Sequence, residues 1–157
     1  MFGVFKKKKT ETEVLSPVNG EVIKIEEVAD PVFNQKMMGE GFAVKPVNGE
    51  ISSPISGVVK SIFPTKHALT IEGANGLNLL IHVGLDTVAL KGEGFRLQVA
   101  EGQKVNAGDA LLSVDLEVLK ENAKDNTVIV AFPEQADLQV VVKKGVATKK
   151  SVAAMVK

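Results

Sequence analysis

The sequence has no cysteine, no tryptophan and no tyrosine among its 157 residues, and only two histidines. The missing cysteine excludes disulfides, thiolate nucleophiles, cysteine-ligated zinc and iron–sulfur clusters. No apolar run reaches the roughly 18 residues that a membrane-spanning helix needs. In the opening MFGVFKKKK the lysines follow the apolar residues, which is not the order of a secretory signal. We therefore expect a cytoplasmic protein.

The chain has no net charge, because its 19 lysines and arginines are balanced by 19 aspartates and glutamates. Four of the lysines, Lys6–Lys9, lie in the first nine residues, which leaves 15 basic groups against 19 acidic ones in the rest of the chain. A mildly acidic body with one arginine, Arg96, argues against nucleic-acid binding. We predict a flexible basic tail over residues 1–12 and a single domain over residues 13–157. Residues 1–10 either lie in solvent or make a peripheral contact with an anionic membrane surface.

The pattern from Val14 onward favours β structure. Short runs rich in valine and isoleucine are interrupted by glycine, proline, asparagine and aspartate, which is typical of an antiparallel β sandwich or barrel. Two short helices interrupt the strands: residues 115–123 begin with a capping Asp115, and residues 31–36 follow Asp30. The clearest predicted strands are 20–25, 57–63, 68–71, 77–83 and 138–142.

A short turn motif occurs twice. Ser16-Pro-Val-Asn-Gly20 recurs as Ser53-Pro-Ile-Ser-Gly57, 37 residues later, and each copy leads into a predicted strand. Proline fixes φ and glycine allows a positive φ, so both copies predict a turn. The repeat indicates either an internal duplication or the ordinary reuse of a turn.

Two common catalytic patterns are absent from the sequence. No Gly-x-x-x-x-Gly-Lys-Ser/Thr phosphate loop occurs, and Gly92-Glu-Gly94 lacks both a third glycine and a preceding strand. The paired carboxylates Glu26 and Glu27 are adjacent, so in a strand they would point to opposite faces. Neither nucleotide binding nor acid–base catalysis by paired carboxylates is expected.

The two histidines, His67 and His82, flank a predicted hairpin turn at residues 73–76. If residues 74 and 75 form the loop, the two histidines lie directly opposite each other with Cβ atoms about 4.5–5.5 Å apart. If residues 75 and 76 form it, His82 faces Leu69 and the imidazoles are diagonal neighbours at roughly 7–8 Å. Both registers predict that the two imidazoles share one face and converge.

A convergent pair of imidazoles has two chemical uses in a chain without cysteine. It can bind zinc, but two ligands fall short of the usual three or four, so a partner would have to supply another. It can also carry a phosphoryl group, because neutral imidazole is a nucleophile near pH 7 and the second imidazole can donate a hydrogen bond to the phosphoryl oxygens. Thr65 lies two residues before His67, where its hydroxyl can fix the tautomer of that ring.

The segment around His82, GLNLLIHVGLDTV at residues 76–88 followed by LKGEGF at 90–95, resembles the signature of a known family. It is similar to the glucose-type IIA proteins of the bacterial phosphoenolpyruvate:sugar phosphotransferase system. The resemblance extends from residues 16–20 through 30–46 and 63–68 to 101–115. It implies an antiparallel β sandwich with Greek-key connections, and a phosphotransferase component that carries a phosphoryl group during sugar uptake. The choice of sugar lies in the permease.

The resemblance also implies a role for each residue of the site. His82 would accept a phosphoryl group on Nε2 from the phosphohistidine of the histidine-containing phosphocarrier protein. It would then pass the group to a cysteine on the IIB domain of a sugar permease, with no cofactor required. His67 would hydrogen-bond the phosphoryl oxygens, Thr65 would orient His67, and the Gly84 carbonyl would hold the Nδ1–H of His82.

Two further groups of residues match family positions that meet the partners. Asp30 and Asp86 match acidic positions that face basic groups on the donor and the acceptor. An apolar rim where the partners dock is implied at Val32, Phe33, Met37, Met38, Phe63 and Val88.

Two other readings of the sequence remain open. Residues 53–57 and 101–109 resemble stretches of biotinyl and lipoyl domains, and Lys36 beside two methionines is reminiscent of a modified lysine. Such domains are usually about half this length, and Lys36 lies in a segment predicted to be helical rather than at a hairpin tip. A mainly regulatory protein that binds other proteins according to its phosphorylation state is the second alternative.

Overall fold

The computed structural model describes residues 11–74, 76–135 and 137–157. The predicted lipid contact of residues 1–10 therefore lies outside the described residues. The first described strand begins at Thr12, which pairs with Val156 near the other end of the chain. Residue 12 thus belongs to the folded part, although the sequence assigned it to the tail.

The largest element of the fold is an eight-stranded sheet, and every strand pairing that the structure describes is antiparallel. Four of the five predicted strands lie in this sheet. Its order is β9-β5-β6-β7-β11-β3-β2-β13. The strands are β2 (Gly20–Lys24), β3 (Glu40–Pro46), β5 (Gly57–Ile62), β6 (Ala68–Gly73), β7 (Asn78–Leu85), β9 (Lys104–Val105), β11 (Asp125–Phe132) and β13 (Gly145–Ala147).

Two three-stranded sheets complete the β structure among the described residues. One has the order β4-β10-β8 and the other has the order β12-β14-β1, which includes the fifth predicted strand. Together with the large sheet they confirm the predicted all-β class. The strands are β1 (Thr12–Leu15), β4 (Glu50–Ser52), β8 (Phe95–Leu97), β10 (Ala110–Val114), β12 (Val140–Val142) and β14 (Val152–Val156).

Both predicted helices are present and are capped as expected. The Asp30 carboxylate accepts a hydrogen bond of 2.9 Å from the Val32 N–H, and the Asp115 carboxylate accepts one of 3.0 Å from the Glu117 N–H. Neither helix is long and apolar enough to cross a membrane. The helices are α1 (Pro31–Asn34) and α2 (Leu116–Glu121), and two 3-10 turns cover Ile25–Glu27 and Thr87–Leu90.

Strand β7 has buried residues on both of its faces. Ile81 and Val83 pack into the larger hydrophobic core, while Leu80 packs into a smaller cluster that includes Phe33. Side chains alternate along a strand, so His82 lies on the same face as Leu80. This places the histidine beside the smaller cluster and at the edge of the packed interior.

The repeated turn motif occupies two equivalent places in the structure. The buried Ser16 hydroxyl donates to the Val18 carbonyl at 2.7 Å, and the buried Ser53 hydroxyl donates to the Ile55 carbonyl at 2.6 Å. The two turns also bond each other reciprocally. The backbone bonds are Leu15 N–H to Pro54 O (2.9 Å) and Ser52 N–H to Pro17 O (2.7 Å).

The large sheet extends this equivalence to whole strands. Read from its two ends, its order gives β9-β5-β6-β7 and β13-β2-β3-β11, so each strand of one half has a counterpart in the other. These relations favour an internal duplication over simple reuse of a turn. The two halves meet where β7 pairs with β11, and there His82 pairs with Ile129. Both histidines belong to the half formed by β9, β5, β6 and β7.

Candidate functional site

The hairpin between β6 and β7 has a register that differs from both predicted ones. Ala68 pairs with His82 and Glu72 pairs with Asn78. The Gly73 N–H donates to the Leu77 carbonyl at 2.9 Å, so the connection between the paired strands is longer than the two residues predicted. The predictions that His82 pairs directly with residue 67 or with residue 69 are both wrong.

The two imidazoles nevertheless converge, as predicted. Their ring centroids lie 4.9 Å apart at an interplanar angle of 81°. In a regular strand with this register, residue 67 would point away from His82. Strand β6 begins only at Ala68, however, and Lys66 has a φ of +64°, so His67 lies in a turn. The turn brings its ring to the His82 side while its carbonyl still accepts the Val83 N–H at 2.7 Å.

Nδ1 of His82 lies 2.8 Å from the Gly84 carbonyl oxygen. Because a carbonyl only accepts, Nδ1 carries the proton and the Nε2 lone pair of the neutral ring is free. Gly84 has a φ of +82°, and a Cβ there would lie 2.5 Å from Thr87 Cγ2 and 2.8 Å from the Asp125 carbonyl oxygen. Glycine is required at this position, and it leaves the carbonyl aimed at the ring.

The second imidazole is oriented from its other side. His67 is only 3% exposed, and its Nδ1 lies 2.7 Å from the Thr65 hydroxyl oxygen. When this hydroxyl donates to Nδ1, the ring proton resides on Nε2. His67 then has an N–H donor available on the ring edge away from Thr65.

Burial keeps both imidazoles neutral at pH 7. It lowers the pKa of His82 to about 4, helped by the charge of protonated His67 and opposed by the Gly84 hydrogen bond and the Asp30 charge. Burial also lowers the pKa of His67. A neutral ring is the nucleophilic form of histidine, so the site is ready to react over the whole physiological range.

The low pKa of His82 predicts a specific pH dependence of stability. The unfolded ring gains a proton near its usual 6.5, whereas the folded ring does so only near 4. The free energy of unfolding should therefore fall by about 3 kcal/mol as the pH drops through this window. Comparison with His82→Gln by chemical denaturation between pH 4 and 7 isolates this contribution from that of the carboxylates.

An NMR titration of the His82 ring measures the same pKa directly. We expect a midpoint near pH 4. A midpoint near 6.5, or equal pH slopes of stability for the wild type and His82→Gln, would contradict the assigned burial effect.

Two phenylalanines pack against the imidazoles. Phe33 lies 5.1 Å from the His82 ring and Phe63 lies 5.5 Å from the His67 ring, measured between centroids. Phe63 is 39% exposed, but Phe33 is only 5% exposed. Phe33, which the sequence assigned to the docking rim, is buried against the His82 ring in this structure.

Four of the six predicted rim residues are exposed. Phe63 packs against the His67 ring, and Val32 lies in α1 beside Phe33. Met37 follows α1, and Val88 lies in the Thr87–Leu90 turn that comes after strand β7. Met38 is only partly exposed and packs against the smaller cluster. The exposed members, between 39 and 69% accessible, are Val32, Met37, Phe63 and Val88.

The two predicted acidic residues lie beside this apolar rim. Asp30 caps α1, and its charge acts on the pKa of His82. The Asp86 carboxylate is 78% exposed and lies 3.3 Å from Lys124 Nζ. Lys124 was not foreseen, because no local pattern connects residues 38 positions apart.

The described residues contain no group of three or more histidine, cysteine, aspartate or glutamate side chains that could hold a metal ion. The histidine pair is thus two ligands at most. Lys36, the residue considered for a swinging arm, is held by Glu26 and Glu40, each at 3.2 Å from its Nζ. It lies just after α1 and not at a hairpin tip.

Comparison with known proteins identifies the family. Residues 12–138 match the family model for the phosphoenolpyruvate-dependent sugar phosphotransferase system, EIIA 1. The chain is 48% identical over 138 residues to a PTS system glucose-specific EIIA component of Staphylococcus aureus, covering 87% of this chain and 83% of that protein. It is 54% identical over 120 residues to a glucose-specific EIICBA component of Streptococcus pneumoniae, covering 76% of this chain and 16% of that protein.

A solved structure agrees with these sequence relations. Glucose permease IIA from Mycoplasma capricolum matches with a TM-score of 0.83 and 39% identity, covering 94% of this chain and 96% of that one. The chain therefore belongs to the EIIA 1 family of the phosphoenolpyruvate-dependent sugar phosphotransferase system. It is a phosphotransferase component that carries a phosphoryl group, and the swinging-arm reading is not supported.

Proposed function

We propose that His82 is the residue that carries the phosphoryl group. The group arrives on Nε2 from the phosphohistidine of a histidine-containing phosphocarrier protein and leaves to a cysteine of the IIB domain of a sugar permease. The observation that carries this proposal is the 2.8 Å contact of His82 Nδ1 with the Gly84 carbonyl, because it leaves Nε2 as the nucleophilic nitrogen. The source compound, phosphoenolpyruvate, is made in the cytoplasm, so we expect the protein to act there.

Each transfer exchanges one bond to phosphorus for another. In the first step the Nε2 lone pair of His82 forms an N–P bond while the donor's N–P bond breaks, and the electron pair stays with the donor nitrogen. In the second step a cysteine sulfur forms an S–P bond, and His82 recovers its lone pair. Such transfers depend mainly on alignment and charge stabilisation, which fits a site with few functional groups.

His67 is the group proposed to stabilise the transferring phosphoryl oxygens. Its ring lies 4.9 Å from that of His82, and the Thr65 hydroxyl favours a proton on its Nε2. A fixed N–H donor beside the reacting nitrogen stabilises the negative charge on these oxygens without reorganisation. Thr65 acts through His67 and is a positioning residue.

The donor and the acceptor must both dock on the same face and then leave. The related Streptococcus pneumoniae protein is named EIICBA, and this chain covers 16% of it. We infer that this chain meets a B component of the same kind. An exposed apolar rim with Asp30 and Asp86 beside it suits basic partners that bind with modest affinity.

No bound cofactor is needed for this chemistry. A zinc ion could bridge His67 and His82 only with a further ligand from a partner protein. The test of the proposal is incorporation of labelled phosphoryl group from phosphoenolpyruvate through the general phosphotransfer proteins, with and without a metal chelator specific for zinc. An acid-labile adduct on the His82 peptide in both arms supports the proposal, and its absence contradicts it.

The docking rim gives a prediction with a matched control. Replacing Val88 by serine removes apolar surface from the rim, so the KM for the phosphorylated donor should rise about tenfold while kcat changes little. Val47 is even more exposed, and its N–H bonds to the Asn19 carbonyl in a turn outside the rim. Val47→Ser should leave both constants unchanged in the same steady-state assay, and an equal effect of the two substitutions would contradict docking on this rim.

A further inference from the structure

A buried hydroxyl bonds to the strand that carries His82. Thr87 is fully buried, with 0% of its surface exposed. Its Oγ1 donates a hydrogen bond of 2.7 Å to the Val83 carbonyl oxygen. The hydroxyl bonds to the Val83 carbonyl and not to a ring nitrogen of His82, whose Nδ1 bonds to the Gly84 carbonyl, so the mechanism proposed above does not use it.

The bond is nevertheless one peptide away from the carbonyl that orients His82. The Val83 carbonyl belongs to the peptide unit that enters Gly84, so fixing it fixes one side of the Gly84 Cα. The methyl group of Thr87 packs beside Gly84, because Cγ2 lies 2.5 Å from the position that a Gly84 Cβ would take. The hydroxyl of Thr87 thus restrains the peptide that enters Gly84 from a side chain that lies next to this glycine.

We propose that Thr87 is a positioning residue for phosphoryl transfer, which aims the Gly84 carbonyl and thereby keeps the ring proton of His82 on Nδ1. The proposal rests on the proposed function of His82. The causal chain runs from the Thr87 hydroxyl to the Val83 carbonyl at 2.7 Å, and from the Gly84 carbonyl to His82 Nδ1 at 2.8 Å.

The consequence for the reaction follows from imidazole tautomers. A neutral imidazole carries its proton on either Nδ1 or Nε2, and the hydrogen bond made by one nitrogen decides which. If the Gly84 carbonyl turns away, the Nε2–H tautomer becomes populated. That tautomer has no lone pair on Nε2 and cannot form the new N–P bond, so the transfer rate falls with the fraction of protein that holds it.

A purely structural role for the hydroxyl would have different effects. Loss of a buried hydrogen bond destabilises a protein wherever the bond lies. Ser16 offers the matched case, since it is also fully buried and its hydroxyl donates to the Val18 carbonyl at the same distance of 2.7 Å. Ser16 lies between β1 and β2, outside the site, so Ser16→Ala should reduce stability and leave the His82 tautomer unchanged.

The test compares Thr87→Val, Thr87→Ser and Ser16→Ala with the full-length wild type. Imidazole ¹⁵N spectra of the unphosphorylated protein at pH 7 report the His82 tautomer without any partner protein. The rate of phosphoryl uptake from phosphoenolpyruvate through the general proteins is the second readout, and chemical denaturation is the third. Thr87→Ala replaces Thr87→Val if the latter does not fold.

We expect Thr87→Val to populate the Nε2–H tautomer and to lower kcat for phosphoryl uptake about tenfold, with the KM for the donor unchanged. Thr87→Ser keeps the hydroxyl and should keep the wild-type tautomer. If Thr87→Val loses stability like Ser16→Ala but retains the Nδ1–H tautomer and the wild-type rate, the proposal is overturned. If the wild type itself takes up no phosphoryl group, the proposed function fails instead, while the tautomer comparison still decides the role of Thr87.

Discussion

A His82→Ala protein is expected to take up no phosphoryl group above background when it is incubated with phosphoenolpyruvate and the general phosphotransfer proteins. In the wild type, the Gly84 contact leaves Nε2 of His82 free to attack. The other imidazole, His67, has its Nδ1 engaged with Thr65. Removing the attacking atom leaves no path for the N–P bond to form, so the loss should be complete rather than partial. Acid-labile label per mole of protein is the quantity to measure.

The matched control for this substitution is Thr65→Val, which alters the same site without removing a nucleophile. It should slow the reaction but still give full labelling at long times. A folded His82→Ala protein that still reached full labelling would show that another residue accepts the group.

The second large effect is expected from His67→Gln, which should permit phosphorylation of His82 but slow onward transfer by about 10²–10³-fold, as loss of one fixed donor does in other sites. Uptake uses a neutral nucleophile, the His82 imidazole, whereas onward transfer uses the anionic sulfur of a cysteine. An anionic nucleophile is repelled by the negative phosphoryl oxygens, so its attack depends more strongly on the N–H that His67 supplies to them.

Single-turnover experiments separate these two steps. The protein is first labelled, and the loss of label is then followed after addition of membranes that contain a permease with its IIB domain. If the rates of uptake and of onward transfer fell by the same factor, or if onward transfer slowed only a few-fold, His67 would not have the role assigned to it.

Most of the site could be predicted from the sequence because it depends on short-range relations. Thr65 and His67 are two residues apart, as are His82 and Gly84, and the structure joins both pairs by hydrogen bonds of 2.7 and 2.8 Å. The caps of α1 and α2 are local in the same way. The family signature around residues 76–88 then implied the roles, which the alternation of strand residues does not reveal.

Features that depend on tertiary packing were harder to predict from the sequence. The predicted hairpin register is wrong by one residue, because the turn signal at residues 73–76 does not fix the length of the connection. The histidines converge because Lys66 takes a positive φ and His67 lies in the turn before strand β6 begins. The burial of Phe33 and the Lys124–Asp86 pair arise from segments far apart in the chain.

Strand β11 illustrates a different limit. It is buried along most of its length in the middle of the large sheet, so its side chains show no alternation of polar and apolar residues. It was therefore not among the clearest predicted strands. The repeated turn, by contrast, is visible in the sequence. Its link to a duplication comes only from the structure, through the reciprocal bonds between its two copies and the symmetric order of the large sheet.

The low pKa of His82 and the Gly84 contact have one common consequence. Together they make the unphosphorylated ring a neutral Nδ1–H tautomer with a free Nε2 at every physiological pH. The burial to which Phe33 contributes therefore does more than pack the His82 ring, since burial is the main cause of the lowered pKa. Activity should accordingly be insensitive to pH between 6 and 8 as far as this group is concerned.

The most direct test of the account is to locate the phosphorus atom in the phosphorylated protein by ³¹P and ¹⁵N NMR of histidine-labelled material. We expect a phosphorus coupled to Nε2 of His82, with Nδ1 of the same ring still protonated and hydrogen-bonded. A phosphorus bound to Nδ1 of His82, or to either nitrogen of His67, would contradict it.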